Sequence, residues 1–138
     1  MPNTKNWSLV LVIILVSGVL FFGCATLGRG TTSDFVGVFE GSYNSIQGEM
    51  GMTLNIFKQN GNHKAILSFY NLPGHPNPIE GAYWMDVTYI RGEYHLKFNK
   101  WIERPGGYDG LDLKGRINGD VFSGYTDIGT TFRVVRKW

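Results

Sequence analysis

Histidines and carboxylates are the side chains of this chain with the clearest capacity for chemistry. His63, His75 and His95 could together bind a metal ion, and Asp109 and Asp112 could hold calcium or form an acid–base pair. Their spacing requires neither arrangement, and no oxygen-rich loop surrounds the two carboxylates. The motifs of serine hydrolases, phosphate-binding loops and zinc proteases are missing from the sequence. We therefore predict no catalytic residue, no metal site and no cofactor.

Tryptophans on polar strand faces suggest a recognition surface instead. Trp84 and Trp101 occupy positions shared with polar residues, near Lys97 and Arg104. Tryptophan and arginine are over-represented among the residues that dominate binding energies at protein interfaces. The alternative is that a loop or the N-terminal linker covers these faces. Trp84, Trp101, Lys97 and Arg104 are thus candidate binding residues, with both explanations open.

A proline-rich connection at residues 71–80 interrupts the pattern of the chain for ten residues. It contains three of the five prolines, and a proline cannot occupy a central strand because it lacks the backbone N–H. Long loops in compact domains are often functional, although this one could simply cross and plug one end of the fold. Its candidate binding residues are Pro73, His75, Pro76 and Pro78.

Alternation of apolar and polar residues continues from residue 35 to the end and predicts an all-β domain. We expect eight strands, near 35–43, 50–58, 63–70, 81–90, 94–101, 110–117, 120–126 and 130–137. Turn signals such as Asn60-Gly61 and Asn118-Gly119 make successive strands antiparallel neighbours. The prediction is a single antiparallel meander that forms a closed or nearly closed barrel, because closure removes exposed sheet edges. A β-sandwich is the alternative.

Glycines and aromatic residues mark the first and last strands of this predicted barrel. They are Gly37-x-Phe39, Gly41-x-Tyr43, Gly119-Asp120-x-Phe122-Ser123-Gly124 and Thr131-Phe132-Arg133-Val134-Val135-Arg136. The arrangement resembles the calycin-type barrels, lipocalins in particular, with Phe39 or Tyr43 in place of the tryptophan of the first lipocalin strand. The resemblance implies an apolar ligand inside the barrel. Large inward side chains such as Met52 and Phe69 favour a filled interior instead.

The first 34 residues differ in composition from the rest and predict an export signal followed by a tether. Lys5 and the terminal amine precede 14 apolar residues, 9–22, and Gly23-Cys24 follows. This order resembles the lipobox of bacterial lipoproteins, which implies that residues 1–23 are a removed signal peptide and that Cys24 is diacylated. Residues 24–34 would then be a lipidated flexible tether, and 35–138 the barrel. The alternative is an uncleaved membrane helix over residues 9–27.

Charge and cysteine content narrow the classes of function. Residues 24–138 contain 12 basic and 11 acidic groups, which argues against nucleic acid as the main partner. Cys24 is the only cysteine, so an internal disulfide and a multi-thiolate metal site are excluded.

We expect a cell-envelope lipoprotein that is held in the membrane by its lipid and faces the periplasm or the cell exterior. Its expected role is that of a non-enzymatic interaction module with an envelope protein as partner. One alternative is a lipocalin-like carrier of a small apolar ligand. Another is a periplasmic enzyme that acts on a glycan or cell-wall substrate.

Overall fold

The computed structural model describes residues 35–76 and 78–138, which form a closed eight-stranded antiparallel β-barrel. The strands follow one another around the barrel in chain order, and the last pairs with the first. Their bounds are β1 Gly37–Ser45, β2 Gly48–Gln59, β3 Asn62–Asn71, β4 Glu80–Ile90, β5 Glu93–Glu103, β6 Leu113–Asn118, β7 Val121–Thr126 and β8 Thr131–Arg136. The predicted all-β meander barrel is confirmed, and the β-sandwich alternative is wrong. The predicted signal peptide, the tether and Cys24 lie outside the described residues.

Closure depends on two short seams. β8 pairs with β1 over five positions, from Phe39↔Arg136 to Tyr43↔Phe132. β5 pairs with β6 over only three, which end at Leu96↔Leu113. Beyond that pair, the Asp112 carboxylate accepts the Phe98 N–H at 2.8 Å and so satisfies a strand donor that has no partner strand.

Alternate residues of every strand face the interior, where they pack into one hydrophobic core. Its buried members are Phe35, Phe39, Tyr43, Met50, Met52, Leu54, Ile56, Ala65, Leu67, Phe69, Tyr83, Met85, Tyr94, Leu96, Leu113, Phe122, Phe132 and Val134. The void left among Tyr43, Met52, Leu67 and Tyr83 measures about 10 Å³. A single water needs about 10–15 Å³, so side chains fill this part of the barrel.

The two ends of the barrel differ in how their strands are connected. At one, which we call the turn end, the β2–β3, β4–β5 and β6–β7 hairpins each have a two-residue turn. Asn60 and Gly61 both have positive φ, as the predicted Asn-Gly turn requires. The β6–β7 turn is Gly119-Asp120, with Gly119 at φ 59°, so the predicted turn at Asn118-Gly119 lies one residue too early.

Phe35 fills the interior at the turn end. Its side chain is fully buried, its ring stacks on Tyr94 with the centroids 3.7 Å apart, and its edge meets Phe122 at 4.8 Å. The start of β1 and the end of β8 also lie at this end, because an even number of antiparallel strands returns the chain to the side where it began. The opposite end, which we call the loop end, has the two-residue β1–β2 turn at 46–47 and the longer connections at 72–79, 104–112 and 127–130.

Candidate binding surface at the loop end

A β-bulge in β5 determines where Trp101 points. Phe98 and Lys100 pair with successive residues of β4, which leaves Asn99 as an extra residue. The alternation along β5 therefore shifts by one, and Trp101 packs against the core. The prediction that Trp101 shares the polar outer face with Trp84 is wrong, because the period-two pattern of the sequence does not reveal an inserted residue.

Trp101 belongs to a cluster of rings that closes the loop end, which we call the aromatic plug: Phe69, Tyr83, Phe98, Trp101 and Tyr108. The Trp101 ring lies 5.1 Å from Tyr83, 5.5 Å from Phe98 and 6.3 Å from Phe69. Tyr108, from the connection 104–112, stacks on Phe69 with the centroids 5.8 Å apart. Trp101 is therefore half-buried, because the other rings of the plug cover only part of its side chain.

The connection 104–112 is attached to the rest of the barrel at two points. The Tyr83 hydroxyl donates to the Leu111 carbonyl and accepts the Leu111 N–H, both at 3.1 Å. Burial raises the pKa of Tyr83, so this hydroxyl keeps its proton. The Tyr108 hydroxyl donates to Gln47 at 2.7 Å and links this connection to the β1–β2 turn. These bonds hold the connection 104–112 in place.

Arg104 lies over the exposed side of Trp101. Its guanidinium carbon is 5.7 Å from the indole centroid, within the range of a cation–π contact. The same side chain donates to the Tyr108 carbonyl at 3.0 Å and lies 3.4 Å from the Asp109 carboxylate. Arg104 remains half exposed, so it combines contact with Trp101 and a charge that faces solvent. The predicted proximity of Trp101 and Arg104 is present in the structure.

The proline-rich connection protrudes at the same end. Asn71 closes its base, because its backbone N–H donates to the Ile79 carbonyl at 3.2 Å and its side-chain oxygen accepts the Ile79 N–H. Ile79 packs against the core, whereas the candidate residues Pro73, His75, Pro76 and Pro78 are exposed. Residue 77 lies outside the described residues. The aromatic plug includes Tyr108 from the neighbouring connection 104–112. It includes none of the exposed residues of the proline-rich connection.

Exposed aliphatic side chains surround this end, and the sequence analysis missed them. Ile46 is 90% exposed, Leu72 38%, Ile102 52% and Ile128 47%. They come from four separate parts of the chain, namely the β1–β2 turn, the proline-rich connection, the end of β5 and the β7–β8 turn. We call these four residues the loop-end rim. Each is a single apolar residue in its own segment, so only the topology reveals that they share one end of the barrel.

Trp84 and Lys97 lie elsewhere, on the outer wall of β4 and β5. The half-buried Trp84 meets the Phe57 ring edge-on at 5.7 Å and lines a shallow pocket of about 250 Å³. Lys97 is opposite Asp86 in the strand register. Asp86 pairs with Lys64 and accepts a hydrogen bond from Asn99 at 2.8 Å, and these contacts lower its pKa.

The candidate residues therefore divide into two groups. Trp101, Arg104, Pro73, His75, Pro76 and Pro78 are at the loop end, and Trp84 and Lys97 are on the side wall.

The remaining chemical candidates are dispersed. His63 is the second residue of β3 at the turn end, His95 is within β5, and His75 is at the loop end. Within residues 35–76 and 78–138, no three histidine, aspartate or glutamate side chains come close enough to hold a metal ion. Asp109 and Asp112 each have a different partner. Asp112 accepts the Phe98 backbone N–H, and Asp109 lies beside Arg104.

No helix in the described part of the chain is long and apolar enough to cross a membrane. Comparison of the chain with protein-family models, with curated proteins and with solved structures gave no match. The arguments for function therefore come from the residues themselves.

Proposed function

We propose that this protein is a membrane-anchored lipoprotein of the cell envelope and a non-enzymatic interaction module that binds an envelope protein through its loop end. The observation that carries this proposal is the loop-end rim. Its four exposed aliphatic side chains lie at the same end as the exposed proline-rich connection and the Arg104–Trp101 contact. Exposed apolar surface is a common feature of protein–protein contact sites.

The filled interior favours surface binding over a carrier role. Pockets that hold small molecules usually measure about 300–1,000 Å³. The void between Tyr43 and Leu113 in the core measures about 10 Å³. A lipocalin-like carrier would have to displace several buried side chains to admit a ligand there. These side chains would lose van der Waals contacts with the rest of the core.

The position at which the N-terminal segment enters the barrel agrees with a tether. The predicted lipidated segment, residues 24–34, joins the domain at Phe35, which is at the turn end. A tether that joins the domain at the turn end leaves the loop end free of the attachment point, so the loop end can reach a partner in the envelope. Two acyl chains, as on a diacylated Cys24, are enough for stable anchoring.

Site-specific crosslinking in the native host tests the partner surface. A photo-reactive amino acid at position 46 or 128 should give an adduct with one envelope protein, and the same group at position 58, exposed at the turn end, should not. Ile46→Asp with Ile128→Asp should abolish the adduct formed from position 102 while the thermal melting curve is retained. Equal labelling from position 58 would show that contact is nonspecific and would refute the loop-end assignment.

Mass measurement tests the anchor separately. The membrane-extracted protein should have the mass of a chain that starts at Cys24 plus lipid, and Cys24→Ser should prevent this processing. Recovery of peptides from residues 1–23 on the mature protein would contradict the lipoprotein assignment and favour the uncleaved helix.

A further inference from the structure

A groove of about 550 Å³ crosses the outer face of β6, β7, β8 and β1. Its volume is in the range of ligand sites, about 300–1,000 Å³. We call it the basic groove, and its outward side chains include Ser42, Asn44, Lys114, Arg116, Ser123, Tyr125, Thr131 and Arg133. None of these residues was a candidate in the sequence analysis, because on single strands they read as ordinary solvent-facing positions.

A pair of glycines forms part of the groove. Gly115 and Gly124 pair with each other across β6 and β7 at positions that face the interior, and both line the groove. A Cβ at Gly115 would lie 2.4 Å from the Ser123 carbonyl oxygen, and one at Gly124 would lie 2.0 Å from the Lys114 carbonyl oxygen. Because neither strand has a side chain on its inner face here, the wall comes closer to the core than a larger residue would allow.

Strand register arranges the polar side chains of the groove in two rows. In the first row, Arg116, Ser123, Arg133 and Ser42 are consecutive partners across the four strands. In the second row, Lys114 is opposite Tyr125 and Tyr125 is opposite Thr131, whose hydroxyl accepts a hydrogen bond from Asn44 at 2.9 Å. The two arginines are two strands apart, which corresponds to about 10 Å.

The groove has an excess of positive charge. Lys114, Arg116 and Arg133 line it together with one acid, Glu93. The Glu93 carboxylate lies 3.9 Å from Arg116 and 3.2 Å from His95. Within the described residues, neither Lys114 nor Arg133 forms an ion pair.

At the margin of the groove, the Ser42 hydroxyl donates to Glu49 at 2.5 Å, so a second carboxylate is nearby. The two cations without an ion pair, Lys114 and Arg133, remain the strongest attraction for an anion.

We propose that the basic groove binds an anionic glycan. The spaced cations would bind carboxylate, sulfate or phosphate groups along an extended chain, since arginine forms charge-assisted hydrogen bonds with all three. The hydroxyl and amide groups of Ser123, Thr131 and Asn44 suit the many hydroxyls of a sugar. Tyr125 is 63% exposed in the middle of the second row, where its ring can stack on the C–H face of a pyranose.

The groove is on the side wall of the barrel, and the variants that test it change Lys114, Arg133 and Tyr125, none of which belongs to the loop-end rim. A failure of the rim proposal leaves this one standing, and a failure here leaves the rim proposal standing.

Binding measurements with the full chain in neutral detergent micelles test the proposal. The probes are fluorescent dextran sulfate, neutral dextran of the same length, and polyphosphate. Dextran sulfate should bind with an affinity that falls as salt increases, and neutral dextran should not bind. Arg133→Gln and Lys114→Gln should each weaken dextran sulfate binding about tenfold or more, the usual effect of losing a hydrogen bond to a charged group. Lys58→Gln, which removes the same charge from the turn end, should have little effect.

Tyr125→Ala separates a glycan site from a generally cationic surface. It should weaken dextran sulfate binding several-fold and leave polyphosphate binding unchanged, because only the sugar has a ring to stack. Equal losses for Arg133→Gln and Lys58→Gln would show that net charge alone drives binding and would overturn the assignment of the groove. Tighter binding of polyphosphate than of dextran sulfate, with no effect of Tyr125→Ala, would overturn the glycan assignment. Unchanged circular dichroism of each variant establishes that the barrel is intact.

Discussion

Removal of one hydroxyl, in Tyr83→Phe, should loosen the loop end without disturbing the barrel. The hydroxyl makes two hydrogen bonds of 3.1 Å with the backbone of Leu111. A typical bond contributes about 0.5–1.5 kcal/mol, and the half-buried Leu111 groups lose both partners, so we expect a loss of about 1–3 kcal/mol. The ring remains and keeps its contact with Trp101, which confines the effect to the connection 104–112.

Two measurements check this expectation. Urea denaturation of the full chain should show the lowered free energy of unfolding, and hydrogen exchange should accelerate at the Leu111 amide about tenfold for each 1.4 kcal/mol lost. Tyr125→Phe is the matched control, because Tyr125 is 63% exposed and its change should stay within about 0.5 kcal/mol. If Tyr83→Phe destabilises no more than this control, the two bonds do not hold the connection in place.

Three further changes test the fold. Phe35→Ala should lower the free energy of unfolding by about 3–5 kcal/mol, the usual cost of deleting a buried phenylalanine, in the same urea assay. Gly124→Ala should cost about 1–3 kcal/mol, because its Cβ would lie 2.0 Å from a backbone oxygen, whereas Gly106→Ala, with open space around it, should be nearly neutral. Equal effects of the two alanines would contradict the close approach at Gly124. The contacts of Asp86 lower its pKa from the ordinary value of 3.8, so they stabilise the fold at pH values above 3.8. This contribution is lost as the pH falls below 3.8 and the carboxylate is protonated. Thermal melting at low pH should therefore depend less on pH in Asp86→Asn, and an unchanged pH profile would show that the Lys64 contact is not formed in solution.

Local patterning was enough to predict the strands. Apolar and polar residues alternate with the period of a strand, and glycines or asparagines mark the tight turns, so eight strands were expected close to where they lie. Short connections make sequential strands neighbours, which led from the strand list to a meander. Closure followed from the liability of exposed sheet edges. Lipidation at Cys24 and the interaction role remain predictions.

Errors occurred where one residue changes the register. The extra Asn99 reverses the alternation beyond it and turns Trp101 inward, and a bulge has no signature that distinguishes it from continued pairing. At the β6–β7 hairpin, both Asn118-Gly119 and Gly119-Asp120 are acceptable turns, so local propensity left two registers open. Pairing of Ile117 with Phe122 places Ile117 against the core and selects the second.

The amino-acid sequence by itself therefore determined the class of fold and the order of the strands, because these depend on neighbours along the chain. Only the tertiary structure decided which distant residues share a surface. Antiparallel closure brings alternate connections to one end, which gathers Ile46, Leu72, Ile102 and Ile128 from four segments into the loop-end rim. Cross-strand register likewise aligns the cations of the basic groove. The alternation along one strand does not reveal this alignment, because it depends on how neighbouring strands pair.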